Sequence, residues 1–407
     1  MAQHTNTSKN FEAFIPHFET FSNLGYYKLM KPTSRTKEIL HYYYRILVWI
    51  IFTVYNVQHV LRVIEVRNDI MDVVNTMYVF LTLLNSLGKQ VAFNYRTKRV
   101  DKIIDAIKGP VFAPSNKYHD KLMTRNASEM MVLLRCYQLF AVFLFVMWMA
   151  FPIMIRLSGQ EVSFSMYYPF DTNKQPAFLL VVIYVAIHVV WLSFATVSMD
   201  CLIVAFYMQG RLQFQMLRNN LRHLVDTEDE IEYGDDDETP TIPHKDIHTD
   251  TFKDLFQRRL VQCVKRHQLT VWLVKETESI FAEALVMQFI VVAWIICMTV
   301  FKLVAVNVLS AEFITMIIYL ACILIQLFLF CYYGTQLTHE SDLVSQAIYE
   351  AEWMVLPPQM ARPLLIMMAR CYQPISLYIA YVVPMSIESF ISVVKSSYSL
   401  YTFLDRK

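Results

Sequence analysis

A chain of 407 residues that is 56% hydrophobic and 14% aromatic but only 17% charged is too apolar for an ordinary soluble domain, where about 25% of residues carry charge. Its 36 Lys and Arg against 35 Asp and Glu leave a net charge of +1, so there is no global positive field to hold nucleic acid. A mean hydropathy of +0.35 and repeated apolar runs of bilayer length predict an all-α membrane protein. The first 30 residues hold no apolar stretch ending in a small-residue cleavage site, so residues 1–40 are read as an uncleaved cytoplasmic segment. Spans are expected near residues 42–61, 71–91, 132–155, 178–197, 282–301, 313–330 and 377–403. Seven is odd, which puts the two termini on opposite faces.

Orientation follows from where the short connections carry Lys and Arg. Lys9, Lys28, Lys31, Arg35 and Lys37 precede the first span, Arg96, Lys98, Arg99, Lys102 and Lys108 follow the second, and Arg211, Arg218, Arg222, Arg258 and Arg259 follow the fourth. The other face has few. The amino terminus is therefore placed inside and the carboxyl terminus outside, the reverse of a G-protein-coupled receptor. The Asn-x-Ser sequons at Asn6 and Asn126 then lie inside, where no glycan is added. None of the seven cysteines falls in an outer loop.

Beyond the membrane, residues 251–281 place Phe252, Leu255, Phe256, Leu260, Val264, Val271 and Val274 near helical spacing among basic residues. This predicts a cytoplasmic extension of the fifth helix, with similar tails after the fourth, to about Val225, and after the sixth, to Trp353. Between the first two, residues 226–247 are strongly acidic with Pro240 and Pro243, which reads as a disordered loop. The chain thus divides into residues 1–40, membrane helices one to four (41–210, the ligand-pocket side), cytoplasmic extensions (211–281), helices five and six (282–330), anchor helices (331–374) and a pore-lining seventh helix (375–407).

Two constellations carry chemistry. On the seventh helix, Glu388, Ser392, Lys395, Ser399, Thr402 and Arg406 recur every three or four residues as one polar stripe. Ionisable groups inside a span face a water-filled cavity or a partner, so the stripe reads as pore-lining, and one striped helix needs several subunits to enclose a lumen. The plainer reading is that the serines bond local carbonyls and the charges snorkel. In the outer halves of spans two, three, four and six, Tyr78, Phe145, Trp148, Met149, Tyr184, His188, Trp191, Met316 and Tyr319 could converge on a dry pocket for a small apolar molecule. The alternative is ordinary bundle packing, with His188 a helix-interface histidine. His244 and His248 stand beside the prolines of the acidic loop, and no zinc, calcium or nucleophile motif accompanies them. No metal, cofactor or enzymatic activity is expected.

Residues 339–404 resemble the carboxyl-terminal signature of the insect odorant receptor family. The resemblance is carried in order by Glu340 and Ser341, Trp353, MMARCYQP at 367–374, PMSIESF at 384–390 and KSSYSLYTFL at 395–404. It implies an odour-tuned subunit of a tetrameric, non-selective cation channel assembled with a shared co-receptor in the plasma membrane of a sensory-neuron dendrite, gated by a small volatile molecule. It also implies that residues 362–372 form an anchor helix between subunits, that Pro374 breaks the chain before the last span, and that Phe403 sits near a hydrophobic gate with Thr402 beside it. The family's pockets lie between the outer halves of the second to sixth spans. A gustatory receptor channel, a G-protein-coupled receptor and a secondary transporter remain as alternatives.

Overall fold

The computed structural model describes residues 10–29, 34–68, 70–157, 174–226, 249–305, 311–379 and 383–405, together with 159, 162, 164, 166–170 and 172. Its helices are α1 (Ile15–Asn23), α2 (Arg35–Glu65), α3 (Ile70–Tyr95), α4 (Thr97–Lys108), α5 (Lys117–Leu157), α6 (Ala177–Arg222), α7 (Asp250–Ala305), α8 (Ala311–Glu350), α9 (Pro358–Cys371) and α10 (Ile387–Asp405). Among the described residues, α2, α5, α6, α7 and α8 are long and apolar enough to cross a membrane. The last helix, α10, is shorter and carries Glu388, Lys395 and Asp405 in 19 residues.

Burial along α2 shows why these helices need lipid. Ser34 caps its start, accepting from the Thr36 amide at 3.3 Å. Only Val48, Phe52, Tyr55 and His59 are buried, spaced along one face. Ile39, Leu40, Leu47, Ile50, Ile51, Val54 and Ile64 are exposed, an apolar surface far larger than a water-facing helix carries. By contrast α6 changes character along its length. From Ala195 to Gly210 nearly every residue except Thr196 is buried, and α5, α7 and α8 pack around it.

The extensions are continuous with the membrane helices. With 46, 56 and 40 residues, α6, α7 and α8 reach roughly 69, 84 and 60 Å at about 1.5 Å per residue, at least twice the ~30 Å hydrocarbon core. Ion pairs lace the extended ends of α5, α6 and α8: Arg211–Glu129 at 2.5 Å, Arg218–Glu340 at 2.8 Å and Arg222–Glu350 at 2.6 Å. Arg99 grips Glu276 at 2.6 Å, and that hydrogen bond holds the Glu276 carboxyl below its ordinary range. Deeper in, burial pushes the Arg266 guanidinium down to about 10, while its Nη2 donates to the Ala113 carbonyl at 2.6 Å.

Two features go beyond the sequence reading and one departs from it. Residues 10–29 are built into the fold: Phe14, Phe18, Phe21, Tyr26 and Tyr27 are buried, with Phe14 on Phe206 at 5.5 Å and Phe21 on Phe93 at 5.4 Å. His17 is enclosed among them, and burial pulls its imidazole down to about 4. The aromatic spacing of this segment was the missed signal. The seventh helix starts at Ile387 and not at 377: Tyr378–Ile379 pairs antiparallel with Val383–Pro384, because Pro384 cannot continue a helical ladder. Finally, α4 is a short amphipathic helix that buries Val100, Ile103, Ile104 and Ile107. The acidic stretch beyond Asp226 lies outside the described residues.

Candidate ligand pocket and pore helix

Above the extended end, α2, α3, α5, α6 and α8 bring together many of the rings expected from sequence, though not all on one another. On α6, Tyr184, His188 and Trp191 follow one another on one face. Tyr184 donates its hydroxyl to Gln58 Oε1 at 2.8 Å, and its own carbonyl meets His188 Nδ1 at 2.8 Å. The His188 ring stacks on Tyr55 with centroids 4.5 Å apart and planes within 5°. Tyr184 and His188 therefore turn toward α2. Phe145, Met149 and Tyr184 share one apolar cluster with Tyr55, Leu83, Met166, Phe178 and Val181. Trp191 and Tyr319 pack instead on the main core, where Tyr319 and Thr82 share a hydroxyl hydrogen bond of 2.8 Å. Met316 is half-buried on the same helix as Tyr319, and Trp148 is 38% exposed. Tyr78 lies on α3, but its side chain falls outside the described residues.

Sequence reasoning missed Tyr55 and Gln58, which lie in a span scanned only for apolarity. Tyr55 stands three residues after Phe52 and four before His59, the spacing of the buried stripe. Sequence reasoning also missed the polar seam that runs along α3 from Thr82 to Lys89. Along α3, Thr82, Ser86 and Lys89 succeed one another on one face. Ser86 meets Thr196 at 2.7 Å. Lys89 Nζ pairs with Asp200 Oδ1 at 2.5 Å, their side chains 1% and 3% exposed, and Gln326 donates to Asp200 Oδ2 at 2.5 Å. One acid thus joins α3, α6 and α8, with Phe330 lying 5.6 Å under the Lys89 ammonium.

The root of α10 is pinned to α8. The Ile387 amide donates to Thr335 Oγ1 at 3.1 Å, and the Ile375 amide donates to Ser341 Oγ at 3.0 Å. Gly334 stands where a side chain would collide with the Met385 carbonyl, 2.5 Å from the place of a Cβ, so only glycine admits this crossing. Higher on α10, Phe390 meets Phe328 edge-on at 5.7 Å, and Ser397 donates to the Val393 carbonyl at 2.8 Å. Glu388, Ser392, Lys395 and Ser399 remain exposed on the opposite side, and Thr402 donates to the Ser399 carbonyl at 2.8 Å. The side chains of Phe403 and Arg406 lie outside the described residues. Among the described residues no group of His, Cys, Asp and Glu is arranged to hold a metal.

This arrangement is shared with known proteins. The family model described as 7tm Odorant receptor matches residues 69–398. Odorant receptor Or1 of Anopheles gambiae is 19% identical over 337 residues, covering 81% of this chain and 80% of that protein. The insect olfactory receptor OR5 from Machilis hrabei shares the fold with a TM-score of 0.80 at 15% identity over 96% of each chain. Its complex with eugenol matches with a TM-score of 0.81 at 14% identity, over 98% of this chain and 99% of that one. With the family model spanning most of its length and the helical plan shared from end to end, this chain belongs to the insect odorant receptor family, a membrane receptor of olfaction and not an enzyme.

Proposed function

We propose that this odorant receptor is the odour-tuned subunit of a heteromeric, ligand-gated, non-selective cation channel, working with a co-receptor subunit in the dendritic plasma membrane of an olfactory neuron, amino terminus inside. The observation that carries this reading is the uncovered polar face of α10. Glu388, Ser392, Lys395 and Ser399 are exposed among the described residues, and a single striped helix encloses a lumen only with neighbours. Thr402 and Phe403 would close the stripe as a gate.

The ligand class is a small volatile molecule of largely apolar surface. The solved receptor of the same fold in complex with eugenol supports this, as does the apolar cluster of Phe145, Met149 and Tyr184 with Tyr55; the lining proposed for the ligand is Tyr78, Phe145, Trp148, Met149, Tyr184, His188, Trp191, Met316 and Tyr319. Transmission would run along α8. This one rigid helix carries Met316 and Tyr319 at the pocket and Gly334 and Thr335 at the root of α10, so tightening around a ligand would tilt α10 and widen the gate. Replacing Tyr319 or Trp148 by Ala should raise the odorant concentration for half-maximal current by about tenfold, the loss of roughly 1.4 kcal/mol of binding. Unchanged dose–response curves in both variants would remove this pocket from the account.

A further inference from the structure

Arg45 stands about one turn inside the first expected span, half-buried on α2 where that helix passes the end of α3. Its Nη2 donates to Asn94 Oδ1 at 3.1 Å. Its Nε is buried with no hydrogen-bond partner, and no carboxylate among the described residues pairs with it. A guanidinium cannot shed its charge, and an unanswered charge at membrane depth is costly. Asn94 is next to the last residue of α3, so Arg45 lies level with the end of a membrane helix, where a long basic side chain reaches headgroups.

From Arg45 a shallow groove of about 500 Å³ runs along α2, lined by Tyr42, Ile46, Trp49, Ile50, Thr53 and Val54. These positions form one helical stripe, and Tyr42, Ile46, Ile50 and Val54 are exposed. The stripe spans roughly 18 Å along the axis, close to the ~15 Å half-thickness of the hydrocarbon core. Tyr and Trp beside a basic group are the residues that sit at the membrane–water interface. We propose that this groove is a site for an anionic glycerophospholipid, its phosphate bound by Arg45 and one acyl chain lying on Ile46, Ile50 and Val54. Charge complementarity selects this occupant over a protein surface: the groove offers one unpaired cation above an otherwise apolar track.

Trp49 lies in the groove and reports on it. The purified full-length receptor is reconstituted in phosphatidylcholine vesicles containing a minor fraction of phosphatidylglycerol brominated on its acyl chains, or the same fraction of brominated phosphatidylcholine. The Trp49 signal is taken as the difference from a Trp49→Phe variant. Quenching by the anionic lipid should exceed that by the zwitterionic one as if it were enriched about fivefold at the site. Arg45→Gln should abolish the excess, Arg45→Lys should keep part of it, and inorganic phosphate should not compete. Equal quenching by both lipids, an excess that survives Arg45→Gln, displacement by free phosphate, or a Trp49 shielded from both lipids by a second copy of the chain would each overturn the proposal.

Discussion

Replacing Asp200 by Leu, or Lys89 by Met, is expected to strip the receptor from the cell surface and to lower the melting temperature of the solubilised protein steeply, whereas the double variant recovers most of both. Both side chains are almost wholly enclosed. Removing one leaves the other as an uncompensated buried charge, at a cost of about 3–5 kcal/mol. Against a total stability of roughly 5–15 kcal/mol that is a large share. Removing both exchanges the desolvated pair for apolar packing, which is often neutral or better. The interaction is therefore strongly non-additive. If the two single variants and the double lost equal stability, the pair would not be the unit that joins α3 to α6. The surviving double variant has a second use: Gln326 would lose its acceptor, loosening α8 where it runs between Tyr319 and Thr335.

Charge at position 395 should set the current that the channel carries. Under the pore reading, Lys395 projects an ammonium into the permeation path. Two unit charges about 7 Å apart in water interact by about 0.6 kcal/mol, so each unit of charge removed or reversed should change cation conductance by about two- to threefold per copy of the helix. Lys395→Gln should raise single-channel conductance, and Lys395→Glu should raise it further while shifting the reversal potential toward stronger cation preference. The order with charge is the informative part, since a packing defect would not follow sign. Equal conductance in all three channels, with normal surface expression, would place the stripe of α10 against lipid or protein and not against ions.

How much of this was legible without coordinates depends on the range of the interaction. Apolar run length and periodicity are local, and they located the five helices long and apolar enough to cross a membrane, the extension of α7 from residue 250 and the polar stripe of α10. Positive charge on the connections and the motif from Glu340 to Leu404 pointed to the family. The strand pair 378–379 and 383–384 was read as helix because its residues are apolar, although Pro384 already argued against a continuous ladder. Residues 10–29 were read only as part of a cytoplasmic segment, yet their six aromatic side chains are buried, with Phe14 on α6 and Phe21 on α3. The Lys89–Asp200 pair was half visible. A lysine alone in an apolar run must have a partner, but the partner is 111 positions away, and no local pattern names it. Among the candidate pocket residues, residue type was readable and direction was not. Tyr184 and His188 share a helix face with Trp191, yet the small rotation between successive turns sends the first two toward Tyr55 and the third toward the main core.

On the proposed function, this chain confers ligand sensitivity on a channel that it builds with a second subunit. The most direct measurement is whole-cell current during rapid application of volatile alcohols, esters, phenols and terpenoids to cells expressing this chain alone, the co-receptor alone, and both. The account predicts a fast, reversible cation current to a subset of these compounds in the co-expressing cells, with that selectivity absent from the co-receptor alone. An odorant response that instead develops slowly and is abolished by blocking G-protein signalling would contradict it.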